Sequence, residues 1–378
     1  MKVGVLGGGQ LGRMLALAGC PLGFTFRFFD PSAEISAGSL GEQITAGYDN
    51  LEALERFASG LDLATYEFEN VPVDTARVLQ EKVPVYPAPE ALEMAQDRGN
   101  EKKRFVELEI PTTEYELVDN LSELEQALQK IGCPAVLKHR RLGYDGKGQE
   151  VIRAAQNAAD AWSRLQERPA ILERFVPFRR EASILAVQDR SRSVAFYPLV
   201  ENHHRDGILR LTLAPAPELR PELQKQAEEY AYRVLKSLDY TGVLAMEFFE
   251  YEGQLLANEM ACRVHNSGHW TIEGAETSQF ENHLRAISGL PLGSVTPRGH
   301  SAMANLIGSL PQAHQILAIP GAHLHLYNKA PYSRRKLGHV TLLDTSLQDL
   351  AIRLEQLLRQ IECVSPGSGR EPKGEPKS

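Results

Sequence analysis

The chain has 378 residues, which at about 100–200 residues per domain predicts two or three domains. Hydrophobic residues make up 43% and charged residues 24% of the chain, which excludes a wholly disordered protein, a collagen and a disulfide scaffold. The net charge of −8 excludes a general binder of nucleic acid, so any phosphate site must be a local basic pocket.

The sequence shows no segment typical of a membrane-spanning helix or of a secretory signal peptide. No apolar run reaches the roughly 18 residues that a membrane-spanning helix needs. The apolar N-terminus is too short for a signal peptide and lacks a cleavage site, so it is interpreted as a first strand. None of the four cysteines forms a C-x-x-C pair, which disfavours a zinc site or a redox dithiol. A cytoplasmic location is therefore expected.

Strands alternate with helices at the start of the chain, which predicts a parallel α/β sheet with crossover helices. The predicted strands cover residues 3–6, 24–30, 61–66 and 83–86. A charged helix is then predicted over residues 91–108. An α+β unit follows, with strands at 134–138 and 170–173, a helix at 121–131 and a glycine-rich basic loop at 140–148.

The pattern changes after residue 180 to that of an antiparallel sheet. Strands are predicted at 182–187, 193–197, 209–213, 246–249, 255–259, 323–327 and 339–343, with helices at 223–238, 280–287 and 346–361. The last residues are rich in Pro, Gly, Lys, Glu and Ser, which predicts a disordered tail.

The first strand ends in a glycine motif, Gly7-x-Gly9-x-x-Gly12, which opens a helix and has Asp30 at the end of the next strand. This pattern is typical of a dinucleotide-binding turn and would favour a nicotinamide-dependent enzyme. Glycines at a helix N-terminus also let the backbone approach any phosphate, and a purely structural turn is a third interpretation. The rest of the chain must decide among these interpretations.

Two glutamates lie in a predicted hairpin. Placing Glu247 opposite Glu259 centres the turn on Gly253 and brings the two side chains to about 5 Å at Cβ. Carboxylates that face each other among apolar neighbours need a cation between them. Oxygen ligands suit Mg²⁺, which takes water and phosphate as its remaining ligands. The alternative is a pair of solvated glutamates, which the neighbours Met246 and Phe248 disfavour.

A dense polar segment, residues 263–270, follows the hairpin. An arginine beside two metal-binding carboxylates suits a phosphate or a developing anion. The densest basic run of the C-terminal third, residues 334–336, is either a solvated surface or a phosphate pocket. His323 and His325 share a strand face without an evident third ligand, so packing is favoured over a metal site. The pair at 203–204 is equally unspecific.

These residues resemble the ATP-grasp superfamily, and within it the 5-(carboxyamino)imidazole ribonucleotide synthase family. The resemblance covers about residues 1–345. Its most specific parts are segments 7–14, 143–149, 258–259 and 265–271, and segments 67–71 and 335–339 also fit. The order and spacing of these segments along the chain make the resemblance specific. Cys262 departs from the pattern, because the family usually has proline before this arginine.

The resemblance implies an ATP-grasp fold of mixed α/β and α+β class with ATP between its last two domains. It implies an N-terminal Rossmann-like (pre-ATP-grasp) domain at 1–95, a linker helix and small lid domain at 96–178, a larger antiparallel-sheet domain with a C-terminal extension at 179–363, and a disordered tail at 364–378. A homodimer is implied as well.

Roles for individual residues also follow from the resemblance. The residues implied for ATP are Lys102 and Lys138 at the phosphates, Glu173, Arg174, Phe175 and Val176 at the adenine, Glu181 at the ribose, and Asn258. Magnesium would be held by Glu247 and Glu259. The reaction centre and aminoimidazole ribonucleotide would be held by Tyr144, Asp145, Lys147, Arg263, His265, Asn266 and Ser267. The phosphate of that substrate would be bound by Lys329, Arg335 and Lys336, with backbone donors at Gly9, Gln10 and Leu11, and its ribose by Glu67 and Glu69.

The implied activity is carboxylation of 5-aminoimidazole ribonucleotide with bicarbonate and ATP, through carboxyphosphate, in purine synthesis. Catalysis would come from positioning and charge neutralisation, with Asp145 and His265 as alternative bases. Three other functions stay open. They are another ATP-grasp ligase or a formate-dependent transformylase acting on a related ribonucleotide, an NAD-dependent oxidoreductase that uses the glycine motif, and a non-catalytic nucleotide-binding regulator, which the intact glutamate pair disfavours.

Overall fold

A computed structural model describes residues 1–143 and 148–364. The predictions for Tyr144, Asp145 and Lys147, and nearly all of the predicted tail, lie outside the described residues. The described residues form three sheets, one parallel and two antiparallel. Within these residues no helix combines the length and apolar character that a membrane crossing requires.

The N-terminal sheet is parallel, with the strand order β3-β2-β1-β4. One of its faces buries Val3, Val5 and Phe28 against the first helix, and the other buries Phe29 and Phe57. This confirms the predicted parallel sheet. Its elements are β1 (Lys2–Leu6), α1 (Gln10–Gly19), β2 (Thr25–Asp30), β3 (Glu42–Thr45), α2 (Leu51–Ala58), β4 (Leu63–Tyr66), α3 (Val73–Gln80) and α4 (Pro89–Ala95).

The second sheet is small, with the order β5-β8-β6-β7, and two helices cover it. The helix before it packs against the large sheet. The elements of this region are α5 (Arg98–Glu107), β5 (Tyr115–Val118), α6 (Leu121–Ile131), β6 (Ala135–His139), β7 (Gln149–Ile152), α7 (Ala158–Arg164) and β8 (Ala170–Arg174).

The third sheet contains nine strands among the described residues. Its elements are β9 (Arg180–Gln188), β10 (Val194–Phe196), β11 (Val200–Arg205), β12 (Ile208–Ala214), α8 (Pro221–Ser237), β13 (Gly242–Tyr251), β14 (Gln254–Ala261), α9 (Thr271–Gly274), α10 (Gln279–Ser288), β15 (His300–Ile307), α11 (Ala313–Leu317), β16 (Ala322–Leu326), β17 (Lys336–Asp344) and α12 (Leu347–Val364). The strand period of two places Ile184 in the same core as α8, while Leu185 joins a core with α10 and α1. The N-terminal sheet and the large sheet therefore share their hydrophobic cores.

One sequence prediction at the N-terminal sheet is wrong. Residues 83–86 do not form a strand, because Pro84 and Pro87 lack the N–H groups that a ladder needs. Only Ala64 and Val85 form a bridge there. Conversely, the short polar strand β3 was not predicted, and neither were β11 and β15.

The predicted helix over residues 91–108 is two helices. The carboxylate of Asp97 accepts hydrogen bonds from the backbone N–H groups of Gly99 at 2.9 Å and Asn100 at 3.3 Å. An aspartate in this position caps a new helix and ends the previous one. Arg98 is thereby placed at the first position of α5.

A glycine, Gly338, stands in the interior of the large sheet. It lies inside β17, where it pairs with Leu306 on one side and Leu326 on the other. A Cβ atom at this position would lie 2.4 Å from the carbonyl oxygen of His325. Gly338 therefore allows a close approach between β16 and β17.

Gly338→Ala is expected to destabilise the fold by roughly 1–3 kcal/mol, because backbone, not a mobile side chain, must move away from the new methyl group. Thermal unfolding should show a melting temperature several degrees below wild type. Gly47→Ala is the matched control, since the nearest obstacle there is the side chain of Asp49 in an open loop. Equal melting temperatures for the two variants would contradict this account of the strand pair.

Candidate active site

The hairpin of β13 and β14 brings the two predicted metal-binding glutamates together. Its turn is Glu252-Gly253, with φ of 48° and 78°, which is typical of a two-residue type I′ turn. From this turn alone Glu247 would face Asn258. A register shift next to Glu247 leaves Asn258 as an extra residue and places Glu247 opposite Glu259. The predicted pairing is confirmed, but the prediction of a turn centred on Gly253 missed this bulge.

A cleft opens beside the hairpin. Ten of the predicted site residues line it, namely Glu69, Lys138, Glu181, Glu247, Asn258, Glu259, Arg263, His265, Asn266 and Lys336. Charged residues that were not assigned to the site also line it, namely Arg98, Glu101, Arg140 and His204. Acidic and basic side chains both line the cleft, which suits a ligand that combines phosphate groups with a bound metal ion.

The two facing carboxylates have opposite electrostatic surroundings. Burial and the charge of Glu259 raise the pKa of Glu247. Burial also acts to raise the pKa of Glu259, but Arg98, whose Nη1 lies 2.6 Å from Oε2, lowers it. The arginine supplies the positive charge that this pair requires.

The donor set fits a magnesium ion. Glu247, Glu259 and the side-chain oxygen of Asn258 offer hard oxygen donors at the bulge. Among the described residues, no group of three or more His, Cys, Asp or Glu side chains could hold a metal ion. A two-carboxylate site suits Mg²⁺ completed by water and substrate phosphates, and not a closed protein cage.

The two predicted phosphate-binding lysines have different surroundings. Lys138 lines the cleft, where its ammonium group donates to Glu173 at 2.9 Å and to Asn258 at 3.3 Å. Lys102 is fully buried, and its Nζ donates to Thr112 at 2.8 Å and to the carbonyl of Ala257 at 3.2 Å. Lys102 therefore does not reach the cleft, because it ties α5 to β14.

The predicted adenine segment lies at the end of β8, outside the lining of the cleft. Glu173 is buried between the two lysines, and although burial opposes it, Lys102 and Lys138 lower its pKa. Arg174 is paired with Glu114, and Phe175 and Val176 follow. One carboxylate oxygen of Glu173 has no hydrogen-bond partner, so it has an acceptor available.

Glu181 is joined to a histidine that the sequence did not single out. His204 Nδ1 lies 2.7 Å from Glu181 Oε2. Although burial opposes it, this hydrogen bond raises the pKa of His204 to about 9. His204 is therefore protonated at neutral pH and adds a cation to the cleft.

In the polar segment after the hairpin, three residues line the cleft and Ser267 lies behind them. Arg263 pairs with Glu69 at 2.7 Å, and both side-chain polar atoms of Asn266 are buried without a hydrogen-bond partner. Burial lowers the pKa of His265 to about 3, so the imidazole is neutral, and its Nε2 lies 3.4 Å from Glu247. Ser267 is fully buried and holds His265, not a ligand in the cleft.

The glycine motif is occupied by the protein's own carboxylates. Asp30 accepts from the amide of Gly8 at 2.8 Å, and Glu67 accepts from Gly9 at 2.9 Å and Gly12 at 3.3 Å. Leu11 is packed in the core. Two carboxylates therefore lie where a dinucleotide pyrophosphate would bind, which disfavours the NAD-dependent alternative.

The predicted phosphate-binding cations are not all in one place. Lys329 contacts the side-chain oxygen of Gln10 beside the glycine motif. Lys336 begins β17 and lines the cleft. Arg335 lies over the ring of Tyr332, with 4.8 Å between its guanidinium carbon and the ring centroid. Of these three cations, Lys336 is the one that lines the cleft.

The two histidines of β16 have different surroundings. His325 stacks on His339 with 4.4 Å between ring centroids and contacts Glu273 at 2.7 Å. His325 therefore packs as the sequence predicted, whereas His323 is exposed.

Two of the residues that line the cleft, Arg98 and His204, were missed for different reasons. Arg98 was hidden in an assumed continuous helix, although the cap at Asp97 was a usable signal. His204 carried no signal, because a register shift between His203 and His204 decides which side chain meets Glu181.

Comparison with known proteins agrees with this geometry. Residues 1–96 match the ribonucleotide synthetase preATP-grasp domain, residues 103–280 the ATP-grasp domain, and residues 301–353 the phosphoribosylaminoimidazole carboxylase C-terminal domain. The N5-carboxyaminoimidazole ribonucleotide synthase of Pseudomonas aeruginosa is 52% identical over 96% of this chain and 100% of its own length.

Solved structures show the same similarity. The crystal structure of N5-carboxyaminoimidazole ribonucleotide synthetase from Thermus thermophilus is 57% identical, with a TM-score of 0.91 over 95% of this chain and 98% of that one. The Aspergillus clavatus synthase in complex with ADP and 5-aminoimidazole ribonucleotide is 31% identical, with a TM-score of 0.90 over 96% and 99% of the two chains. The chain belongs to the N5-carboxyaminoimidazole ribonucleotide synthase family of ATP-grasp enzymes.

Proposed function

We propose that this chain uses ATP and bicarbonate to carboxylate the exocyclic amine of 5-aminoimidazole ribonucleotide, through carboxyphosphate. The observation that carries the proposal is the Glu247/Glu259 pair, held by a bulged hairpin in a cleft that also contains Arg98 and Lys138. Family membership supplies the substrate class. The enzyme is an ATP-dependent carbon–nitrogen ligase of purine biosynthesis.

The reaction proceeds in three steps. A bicarbonate oxygen attacks the γ-phosphorus of ATP, the bond to the bridging oxygen breaks, and ADP and carboxyphosphate form. Carboxyphosphate then breaks at its C–O bond to give CO₂ and phosphate. The amine attacks CO₂ and loses one proton to give the carbamate.

The phosphates of ATP are bound by Arg98 and Lys138 at one side of the glutamate pair. Glu247 and Glu259 would hold magnesium, which would supply charge neutralisation of the ATP phosphates. Arg98 pairs with Glu259 in this structure and lies where its guanidinium can instead contact a phosphate oxygen. Glu181 and the protonated His204 are placed for the ribose and a nearby phosphate.

The aminoimidazole ribonucleotide is held on the opposite side of the pair. Arg263, His265 and Asn266 face the cleft, and the unpaired amide of Asn266 offers both a donor and an acceptor. Lys336 and Lys329 supply the positive charge for the substrate phosphate, and Glu69, which lines the cleft beside Arg263, is a ribose acceptor. These contacts position the amine against CO₂ and exclude water from carboxyphosphate.

The homodimer stays a proposal from the family resemblance, and the cytoplasmic location stays a proposal from the sequence. A phosphate-release assay with each substrate omitted in turn tests the activity. Phosphate release should require ATP, bicarbonate and aminoimidazole ribonucleotide together. Release that depends on formate instead of bicarbonate would favour the transformylase alternative.

The glutamate pair is tested by charge removal. Glu259→Gln should abolish ATP turnover without unfolding the protein, because one metal ligand loses its charge. Glu247→Gln should have the same effect to a smaller extent. Steady-state phosphate release across a magnesium titration measures both variants, with Glu252→Gln in the exposed hairpin turn as the matched control. Near wild-type rates for both variants would rule out the metal assignment.

Arg98 is tested on its own helix. Arg98→Gln should raise the Michaelis constant for ATP by roughly ten-fold or more, since a charge-assisted phosphate contact contributes about 1.5–3 kcal/mol. Lys103→Gln, which changes an exposed cation on the same helix, is the control and should leave the constant unchanged. If the two variants have the same constant for ATP, Arg98 does not bind the nucleotide.

The substrate phosphate is tested at β17. Lys336→Ala should raise the Michaelis constant for aminoimidazole ribonucleotide by roughly ten-fold or more and leave the constant for ATP nearly unchanged. Arg335→Ala is the neighbouring control and should have the smaller effect, because its guanidinium lies over Tyr332. A shift confined to the ATP constant would place the phosphate pocket elsewhere.

A further inference from the structure

A row of buried polar side chains crosses the large sheet and ends at His265. Thr212 on β12, Asn202 on β11 and Ser183 on β9 are each at most 4% exposed. Asn202 is the register partner of Thr212, and Ser183 lies directly opposite Glu247 on β13. The row therefore lies on the face of the sheet that carries the glutamate pair.

These side chains form one continuous chain of hydrogen bonds. The Thr212 hydroxyl donates to Asn202 Oδ1 at 2.9 Å, and Asn202 Nδ2 donates to Ser183 Oγ at 2.9 Å. The Ser183 hydroxyl donates to Ser267 Oγ at 2.8 Å, which leaves the Ser267 hydroxyl to donate to His265 Nδ1 at 2.9 Å. Every bond points toward the cleft.

The backbone agrees with this direction. The N–H of Ser267 donates to His265 Nδ1 at 3.3 Å. A backbone amide can only donate, so this longer contact favours an unprotonated Nδ1, while the shorter contact with the Ser267 hydroxyl at 2.9 Å decides whether Nδ1 accepts or donates. With that hydroxyl donating, the proton of the neutral imidazole resides on Nε2, the nitrogen that lies 3.4 Å from Glu247.

We propose that the buried chain Thr212–Asn202–Ser183–Ser267 holds His265 in the Nε2–H tautomer, so that His265 acts as a hydrogen-bond donor in the cleft. In this account Ser183 and Asn202 are positioning residues, and neither touches substrate. The proposal rests on the proposed function only for the identity of the oxygen that receives the bond, a carboxylate oxygen of a substrate or intermediate. The proposal also excludes His265 as the base that accepts the amine proton. A neutral imidazole accepts a proton through its unprotonated nitrogen, and in His265 that nitrogen faces Ser267.

A spectroscopic measurement tests the tautomer directly. Protein labelled with ¹⁵N at its 11 histidines is examined by NMR without substrates, and the signals of His265 are identified by their loss in His265→Gln. Wild type should show an unprotonated Nδ1 and a protonated Nε2. A protonated Nδ1 would overturn the proposal.

Two variants test the chain behind the histidine. Ser183→Ala removes the donor to Ser267, so the hydroxyl of Ser267 can turn and accept from Nδ1–H. The spectrum should show a mixture of tautomers, and kcat should fall by roughly ten-fold while the Michaelis constant for ATP changes little. Ser301→Ala is the matched control, because Ser301 is equally buried in the same sheet and its hydroxyl has no hydrogen-bond partner.

The outcomes separate the two proposals. If Ser183→Ala and Ser301→Ala have the same spectrum and the same kcat, the chain does not position His265. Asn202→Leu provides a second variant in the same chain, with circular dichroism as the check of folding. If wild type fails to release phosphate in response to bicarbonate and aminoimidazole ribonucleotide, the proposed function is overturned, whereas the spectrum still decides the tautomer.

Discussion

The architecture of the site depends on two carboxylates that face each other where neither is fully solvated. Glu247 and Glu259 meet because a bulge at Asn258 shifts the register of the hairpin by one residue. Side chains alternate between the two faces of a strand, so without this shift Glu259 would point to the opposite face. Two carboxylates directly opposite each other on paired strands repel, so the pair is stable only with a cation beside it.

The surrounding charges follow from that requirement. Arg98 neutralises Glu259 from the start of α5, and the cap at Asp97 determines where this helix begins. Lys138 reaches the same place from the small sheet, so three separate parts of the fold converge on one hairpin. An exchange of Arg98 between Glu259 and a phosphate would couple metal binding to nucleotide binding.

The sequence predicted much of this arrangement where local chemistry was decisive. The parallel N-terminal sheet, the antiparallel hairpin and the facing glutamates all follow from strand periodicity and turn residues. The resemblance to the family then added further residues that line the cleft, among them Lys138, Glu181 and Asn258. Prediction failed where prolines removed ladder donors at residues 83–86 and where Asp97 split a continuous helical pattern.

Other features of the site depend on the tertiary fold, and no local pattern in the sequence indicates them. The partner of Glu181 is decided by a register shift within β11, and Lys102 is hidden by packing against β14 that no sequence pattern records. The chain from Thr212 to His265 joins three strands and a loop, and its members look like ordinary strand and loop residues. Such networks become visible only when the sheet is assembled.

The central claim is that bicarbonate is phosphorylated by ATP at this site before its carbon is transferred to the amine. The most direct measurement is mass spectrometry of the phosphate released during turnover with ¹⁸O-labelled bicarbonate. Attack by a bicarbonate oxygen on the γ-phosphorus, followed by cleavage of the C–O bond, predicts one labelled oxygen in each phosphate released. Phosphate without label, produced together with the carbamate, would contradict the account.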